Sequence, residues 1–253
     1  YFEWERPEFA HLPLLLSPDG TGKLSKRDGD KYGFPIFPLQ WQDPATGVIS
    51  SGYREEGYLP EALINFLALL GWNPGNDEEI FTLEQLTALF SIERVGKSGV
   101  KFDKKKSIWF NQHYIRQKPD AEFLPMVRQE LAKEGLPDRD DAYLLEVIRM
   151  QKERVESLPD FVRTGKFFFE QPGAIDPDVL QKKWTPDATP FLEAITAELE
   201  GLPEWERQGL HDAVHARVEA QGLKIGKLMP ALRLALTGLT FGPDLFEIMA
   251  LLG

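Results

Sequence analysis

Along the first fifty residues, apolar and polar positions follow no fixed period. Tyr1 to Ser51 is rich in glycine, proline and aromatic residues, and its one continuous apolar run, Leu12 to Leu16, predicts a buried strand. The period changes after Gly57. Pro60 suits the first turn of a helix, Leu63, Phe66, Leu67 and Leu70 recur at helical spacing, and Gly71 is the expected C-terminal cap. Thr82 with Gln85 three residues on reads as a capping box opening a second helix, with Leu86, Leu89 and Phe90 facing the core. Beyond about Ile115 the strand signal vanishes. Helical stretches follow one another, broken by Pro119, Gly135-Leu136-Pro137, Gly165, Pro172-Gly173, Pro186, Pro190, Gly201-Leu202-Pro203, Gly222 and Gly238, which predicts an all-helical second half. No repeat at a fixed period and no low-complexity tract is present, so a solenoid is not indicated.

Composition narrows the class. With 253 residues, 42% hydrophobic and 27% charged, the chain can bury one or two globular cores. No apolar run approaches the roughly 18 residues that cross a bilayer, and Tyr1 to Glu8 lacks the order of a secretory signal. A soluble, cytoplasmic protein with no membrane partner is expected. The absence of cysteine excludes disulfides and thiolate metal sites, and four scattered histidines argue against a histidine zinc site, so no protein metal site is expected. The start at Tyr1-Phe2-Glu3-Trp4, with no initiator methionine, reads as part of something longer.

Taken whole, a formal charge of -11 argues against nucleic acid. The charge is uneven, however. Arg94, Lys97, Lys101, Lys104, Lys105, Lys106, Arg116 and Lys118 face Asp103 alone, while almost all of the net negative charge lies beyond Lys118. This basic island is either a solvated lysine-rich face or a phosphate contact.

The sharpest chemical feature is Lys23-Leu24-Ser25-Lys26-Arg27, set between Asp19-Gly20-Thr21-Gly22 and Asp28-Gly29-Asp30. Glycines on both sides predict a loop that can move. Two ammonium groups three residues apart, with a hydroxyl between them, suit a polyphosphate whose charge redistributes as its leaving group departs. The spacing alone equally fits a short basic surface loop. His11 lies among apolar residues and reads as a packed core histidine. Phe167-Phe168-Phe169 reads as core filling between helices, with stacking on bases as the other possibility.

Several stretches, taken in order, resemble the glutamyl-tRNA synthetase family of class I aminoacyl-tRNA synthetases. They are Phe9 to Leu16, the Lys23 to Arg27 stretch, Gly57 to Leu67 with Leu70-Gly71-Trp72, Trp109-Phe110-Asn111 and His113-Tyr114-Ile115. The match returns in Gly226-Lys227, Pro230, Leu232 to Gly238, Leu245 to Ile248 and Leu251-Leu252-Gly253. Within the resemblance, Lys23 to Arg27 looks like the second signature motif, commonly written KMSKS. The fold implied is mainly α: residues 1–118 as the end of a catalytic domain with its phosphate loop and stem-contact region, and 119–253 as an all-helical anticodon-binding region. The activity implied joins glutamate to ATP and transfers it to the terminal ribose of tRNA(Glu), with Mg2+ accompanying ATP. Lys26 would hold ATP phosphates, Lys23 would assist and Ser25 would position the loop, Leu24 and Arg27 completing the ATP-binding stretch.

Further roles follow from the same resemblance. Lys101, Lys104, Lys105 and Lys106 would meet the tRNA backbone on the inner side of the molecule. Val147 to Phe161 resembles the anticodon-reading helix, where Lys152 and Arg154 could meet the third anticodon base; a solvated face of Lys152, Glu153, Arg154 and Glu156 is the alternative. The Tyr32 to Trp41 segment lengthens the connection after the loop and is expected to pack on the stem-contact region. The first signature of the family, written HIGH, is missing from this sequence. The chain alone is therefore expected to be inactive, the full-length enzyme a monomer that binds tRNA(Glu), ATP and L-glutamate. A non-catalytic tRNA-binding or interaction module is the alternative. The helix-only second half disfavours a glutaminyl enzyme, which carries β-barrels there, and the short paralogue that lacks an anticodon domain.

Overall fold

The computed structural model describes residues 3–253; Tyr1 and Phe2, which begin the irregular N-terminal stretch, lie outside the described residues. Two compact units result, one up to Lys118 and one from Pro119 onward. The first runs β1 (Leu15–Leu16), α1 (Lys26–Tyr32), β2 (Trp41–Gln42), β3 (Ile49–Ser50), α2 (Pro60–Ala68), α3 (Leu83–Leu89), β4 (Val100–Lys101) and α4 (Lys104–Gln117), with a 3-10 turn at Ile92–Arg94. β1 pairs in parallel with β4, Leu15 opposite Val100 and Leu16 opposite Lys101. β2 and β3 form an antiparallel hairpin, Trp41 opposite Ser50.

The core of this unit is aromatic. Phe34, Tyr53, Phe66, Phe102 and Phe110 form one buried cluster, and Trp72, Phe81 and Leu86 another. Each buried phenylalanine contributes roughly 1.5 to 3 kcal/mol relative to exposure. Two buried asparagines tie the helices together. Asn111 on α4 accepts from the Leu59 N–H (2.8 Å) and donates to Gly57 O (3.2 Å), fixing the chain as it enters α2. Asn65 on α2 accepts from the Phe81 N–H (2.9 Å), and the Tyr114 hydroxyl lies 2.7 Å from the same oxygen. Left unmet, each of these buried donors would cost about 1 to 3 kcal/mol.

Several elements differ from expectation. The strand over Leu12 to Leu16 shrinks to two half-buried residues, with Leu12 72% and Leu14 54% exposed. An apolar run states that a strand gains by burial but not what covers it; here β4 pairs with it on one side and the returning chain bridges Leu16 to Lys23 on the other. His11 is exposed for the same reason, since its apolar neighbours are themselves uncovered. Pro60 does open α2 at its first turn, but the helix ends at Ala68 and Gly71 is no cap. Gly71 instead sits at φ +130°, where the chain passes so close to Pro13 that a Cβ would lie 2.7 Å from its Cγ. The capping box of Thr82 and Gln85 closes as expected, at 3.2 and 2.7 Å, yet only Leu86 of α3 is buried while Leu89 and Phe90 stay largely exposed.

The second unit is helical throughout its named elements: a 3-10 turn Asp120–Phe123, α5 (Leu124–Glu134), α6 (Asp141–Gln151), α7 (Asp160–Arg163), a 3-10 turn Lys166–Phe168, α8 (Pro177–Lys183), α9 (Ala188–Leu199), α10 (Arg207–Ala220), α11 (Ile225–Thr237) and α12 (Leu245–Leu252). Phe191, Ile195, Leu210, Val214, Leu228, Leu245 and their neighbours form the core of α9 to α12. Phe167, Phe168 and Phe169 are buried, so that run fills the interior and offers no face to a base. The helix expected from Val147 to Phe161 does not continue past Gln151. Pro159 has no N–H to extend a ladder, and Asp160 accepts from the backbone N–H of Glu156 (3.1 Å) and Ser157 (2.9 Å), gathering the chain into a separate short helix, α7.

Candidate functional site

The signature stretch grows out of β1. After Leu16 the chain turns through residues 17–22 and returns antiparallel, the Ser17 N–H donating to Gly22 O (2.9 Å) and the Leu24 N–H to Leu15 O (2.7 Å). Asp19 organises the turn. Its carboxylate accepts from the Ser17 hydroxyl (2.5 Å), the Thr21 hydroxyl (2.6 Å), the Tyr32 hydroxyl (2.5 Å) and the Thr21 N–H (3.0 Å). Those donors, the Ser17 hydroxyl foremost, hold its carboxyl far below the ordinary carboxylate range. Lys23 is exposed, whereas Leu24 is half-buried and packs against the aromatic core, pinning the stretch to the unit.

From Ser25 the expected loop becomes helix α1. Ser25 is the N-cap, and the Asp28 carboxylate accepts from its N–H (2.7 Å) and its hydroxyl (2.8 Å). Gly33, at φ +66°, ends the helix. Gly29 serves packing, not motion, since a Cβ there would lie 2.6 Å from Ile36 Cγ1. Lys26 and Arg27 thus sit in the first turn of a helix, both exposed. The Lys26 Nζ lies 4.1 Å from the centroid of the Trp41 ring. Lys23, Lys26 and Arg27 have no ion pair among the described residues.

The basic island divides by surroundings. Lys101 on β4 is exposed, with its Cε next to Gly20 in the turn that precedes Lys23; a Cβ on Gly20 would lie 3.3 Å from it. Lys104 is half-buried with its Nζ 3.5 Å from Tyr32 O at the end of α1. Lys105 is exposed without an ion pair among the described residues, and Lys106 is paired with Glu79. Arg94 donates to Pro74 O, and Lys118 pairs with Glu61 at 2.9 Å. Lys104, Lys105 and Lys106 occupy the first turn of α4, where the helix dipole disfavours cations; Asp103 offsets this as N-cap, accepting from the N–H of Lys105 (2.9 Å) and Lys106 (3.2 Å).

In the second unit, Lys152 and Arg154 part company. The Lys152 ammonium is largely covered, 2.6 Å from the Asp120 carboxylate. Arg154 is exposed, its Nη1 3.4 Å from Met150 O. Sequence analysis passed over Arg233 inside the run Leu232 to Gly238. Its Nη2 donates to Pro243 O (2.8 Å), and its buried Nη1 has no hydrogen-bond partner among the described residues. Burial pulls this guanidinium below its ordinary pKa; Asp244 opposes the shift, and the like charge of Arg154 adds to it. A charged donor kept buried and unpaired costs stability. The signal available in sequence was a lone arginine in an otherwise apolar helical run.

Comparison with known proteins gives this geometry its class. Residues 1–109 match the family of class I tRNA synthetases (E and Q), catalytic domain, and residues 122–253 match the anticodon binding domain family. The fold and the two sites therefore define the class: a class I tRNA synthetase catalytic end joined to a helical anticodon-binding part. The chain is 46% identical over 252 residues to the glutamate–tRNA ligase of Christiangramia forsetii and 47% over 247 residues to that of Phocaeicola vulgatus, covering 50% and 49% of those proteins. It superimposes with a TM-score of 0.90, at 42% identity, on a glutamate tRNA ligase from Elizabethkingia meningosepticum crystallised with its amino acid, covering 99% of this chain and 49% of that one. The chain belongs to the glutamate–tRNA ligase family, and it spans about half the length of the curated relatives it matches. No helix among the described residues is long and apolar enough to cross a membrane.

Proposed function

We propose that this chain forms the C-terminal part of a cytoplasmic, monomeric glutamate–tRNA ligase and supplies its ATP-phosphate contacts and its tRNA contacts. The observation that carries this is the pair of exposed cations Lys23 and Lys26, without an ion pair among the described residues, on either side of the Ser25 cap, in a chain whose whole length aligns with about half of each glutamate–tRNA ligase it matches. In the reaction, the glutamate carboxylate attacks the α-phosphorus of ATP and the bond to pyrophosphate breaks. The 3′-terminal ribose hydroxyl of tRNA(Glu) then attacks the acyl carbon and releases AMP. The Lys26 ammonium meets the negative charge that gathers on the departing pyrophosphate, and Lys23 shares it. Ser25 sets where Lys26 leaves the helix, and Leu24 anchors the stretch to the core. Mg2+ would accompany the nucleotide phosphates.

Recognition of tRNA divides between the two units. Exposed Lys101 and Lys105 meet backbone phosphates, with Lys104 and Lys106 of the same island held nearer the protein. Arg154 and Arg233 offer guanidinium donors to the anticodon; Lys152, committed to Asp120, supports that surface from within. This chain by itself does not activate glutamate, because it carries the phosphate contacts alone; ATP–pyrophosphate exchange by the purified chain would contradict that. In the full-length enzyme, Lys26→Ala lowers adenylate formation about a hundred- to a thousandfold, the value of one donor aimed at developing charge, while tRNA affinity holds. A near-parental rate of adenylate formation removes Lys26 from the chemistry and favours a non-catalytic tRNA-binding module.

A further inference from the structure

The aromatic stretch that follows α1 is absorbed by neither set of contacts. From Phe34 to Gly52 the chain forms a strap across the first unit. Phe34 is buried and stacks on Phe102 with centroids 4.3 Å apart. The Tyr53 N–H donates to Phe37 O (2.9 Å), the Arg54 N–H to Pro38 O (3.1 Å) and the Gln40 N–H to the Glu55 carboxylate (2.6 Å). Gly52 passes against Leu39 so closely that a Cβ would lie 2.2 Å from its carbonyl carbon. Trp41, next in the strap, is half-buried, pairs with Ser50 across the hairpin and stacks on Phe37 at 4.9 Å. The Lys26 ammonium lies over this pair of rings, 4.1 Å from the Trp41 centroid and 5.2 Å from that of Phe37.

We propose that Trp41, with Phe37 beside it, is a positioning residue that rests the Lys26 ammonium on its ring while no polyphosphate is present and releases it when one binds. This rests on the assignment of Lys26 to ATP phosphates. A ring face attracts a cation through its quadrupole but brings no counter-charge. A carboxylate in that place would neutralise Lys26 and repel the nucleotide; the ring keeps the side chain ordered with its full charge available. The rested state binds no phosphate, so it lowers apparent ATP affinity by the fraction of enzyme it occupies. An exposed contact of this kind holds the resting state by about two- to fivefold.

The test uses ATP–pyrophosphate exchange in the full-length enzyme. Trp41→Ala lowers the KM for ATP by about two- to fivefold with a smaller change in kcat, and Trp41→Phe, which keeps a ring, stays near the parent. In the residual exchange of a Lys26→Ala background, Trp41→Ala leaves the KM unmoved, because the ring has lost its cargo. A merely structural tryptophan would instead raise KM or lower kcat in both backgrounds, and that result overturns the proposal. The parent enzyme provides a second readout that needs no variant to fold: the ε-methylene protons of isotopically labelled Lys26 resonate upfield under the ring current and move downfield when a non-hydrolysable ATP analogue is added. Unshifted protons overturn the proposal. If Lys26→Ala retains parental exchange, the assignment of Lys26 fails; if Lys26→Ala is impaired while Trp41→Ala leaves KM unchanged, the role of Trp41 alone fails.

Discussion

Replacing Lys101 and Lys105 together with alanine in the full-length enzyme tests how the basic island meets tRNA. Of the island lysines proposed for tRNA, these two are exposed and without an ion pair among the described residues, whereas Lys106 is paired with Glu79 and Lys104 lies against Tyr32 O. A lysine already neutralised in the free protein releases fewer counterions when it meets a phosphate, because its partner must first be displaced. Each free lysine that meets a phosphate contributes about 0.7 to 0.9 to the slope of log affinity against log salt, so the double variant should flatten that slope by about 1.4 to 1.8. Between 50 and 200 mM salt the parent then loses about tenfold more affinity than the variant does. The effect should be the same for cognate tRNA and for transcripts with altered anticodons, since phosphates carry no sequence information. Stability should move the other way. Lys105 sits in the first turn of α4, and removing a cation from that end of a helix gains roughly 0.3 to 1 kcal/mol. The assays are tRNA binding at a series of salt concentrations and urea unfolding. A parental salt slope, or an equal change on replacing Lys104 and Lys106, would refute the division of the island.

Two further outcomes follow from the second unit. Arg154→Ala should change the preference among anticodon bases by roughly 1 to 3 kcal/mol, read from binding of anticodon-altered transcripts. Lys152→Ala should chiefly lower stability, because it strands the partly buried Asp120 carboxylate; a change in anticodon preference without loss of stability would reverse those assignments. Asp244 should contribute to acid sensitivity. Burial pushes its carboxyl up, but the N–H donors of Glu247 and Phe246 and the Arg207 guanidinium, 3.3 Å away, outweigh this and hold it below the ordinary carboxylate range. A depressed folded value means the stabilisation is full above the unfolded value, roughly 3.9, and is lost as pH falls through the folded one. Unfolding followed from neutral pH into that range should show a shallower acid loss for Asp244→Asn than for the parent; an unchanged profile would remove Asp244 from the acid response.

What the sequence determined by itself is whatever short-range chemistry decides. Thr82 and Gln85 close a capping box, Pro60 opens α2, and the glycine and proline breaks after Ile115 leave helices between them, because each depends on backbone geometry within a few residues. Pro190 is the exception: it lies within the first turn of α9, where its missing N–H costs nothing. The Lys23 to Arg27 stretch stood out for a similar reason: two cations flanking a hydroxyl are chemistry written at fixed spacing. Tertiary structure decided whatever depends on a distant partner. Lys152 and Arg154 look alike along the chain, yet Asp120 claims one and leaves the other exposed. Gly71 resembled a cap until Pro13 took the space beside it, and Gly29 a hinge until Ile36 did. Burial left the Arg233 Nη1 without an acceptor among the described residues, and Lys26 met Trp41 only because a strap bonded to Tyr53, Arg54 and Glu55 carries that ring back to α1. Local propensity is a property of a few consecutive residues, whereas pairing, desolvation and close packing belong to atoms that only folding brings together.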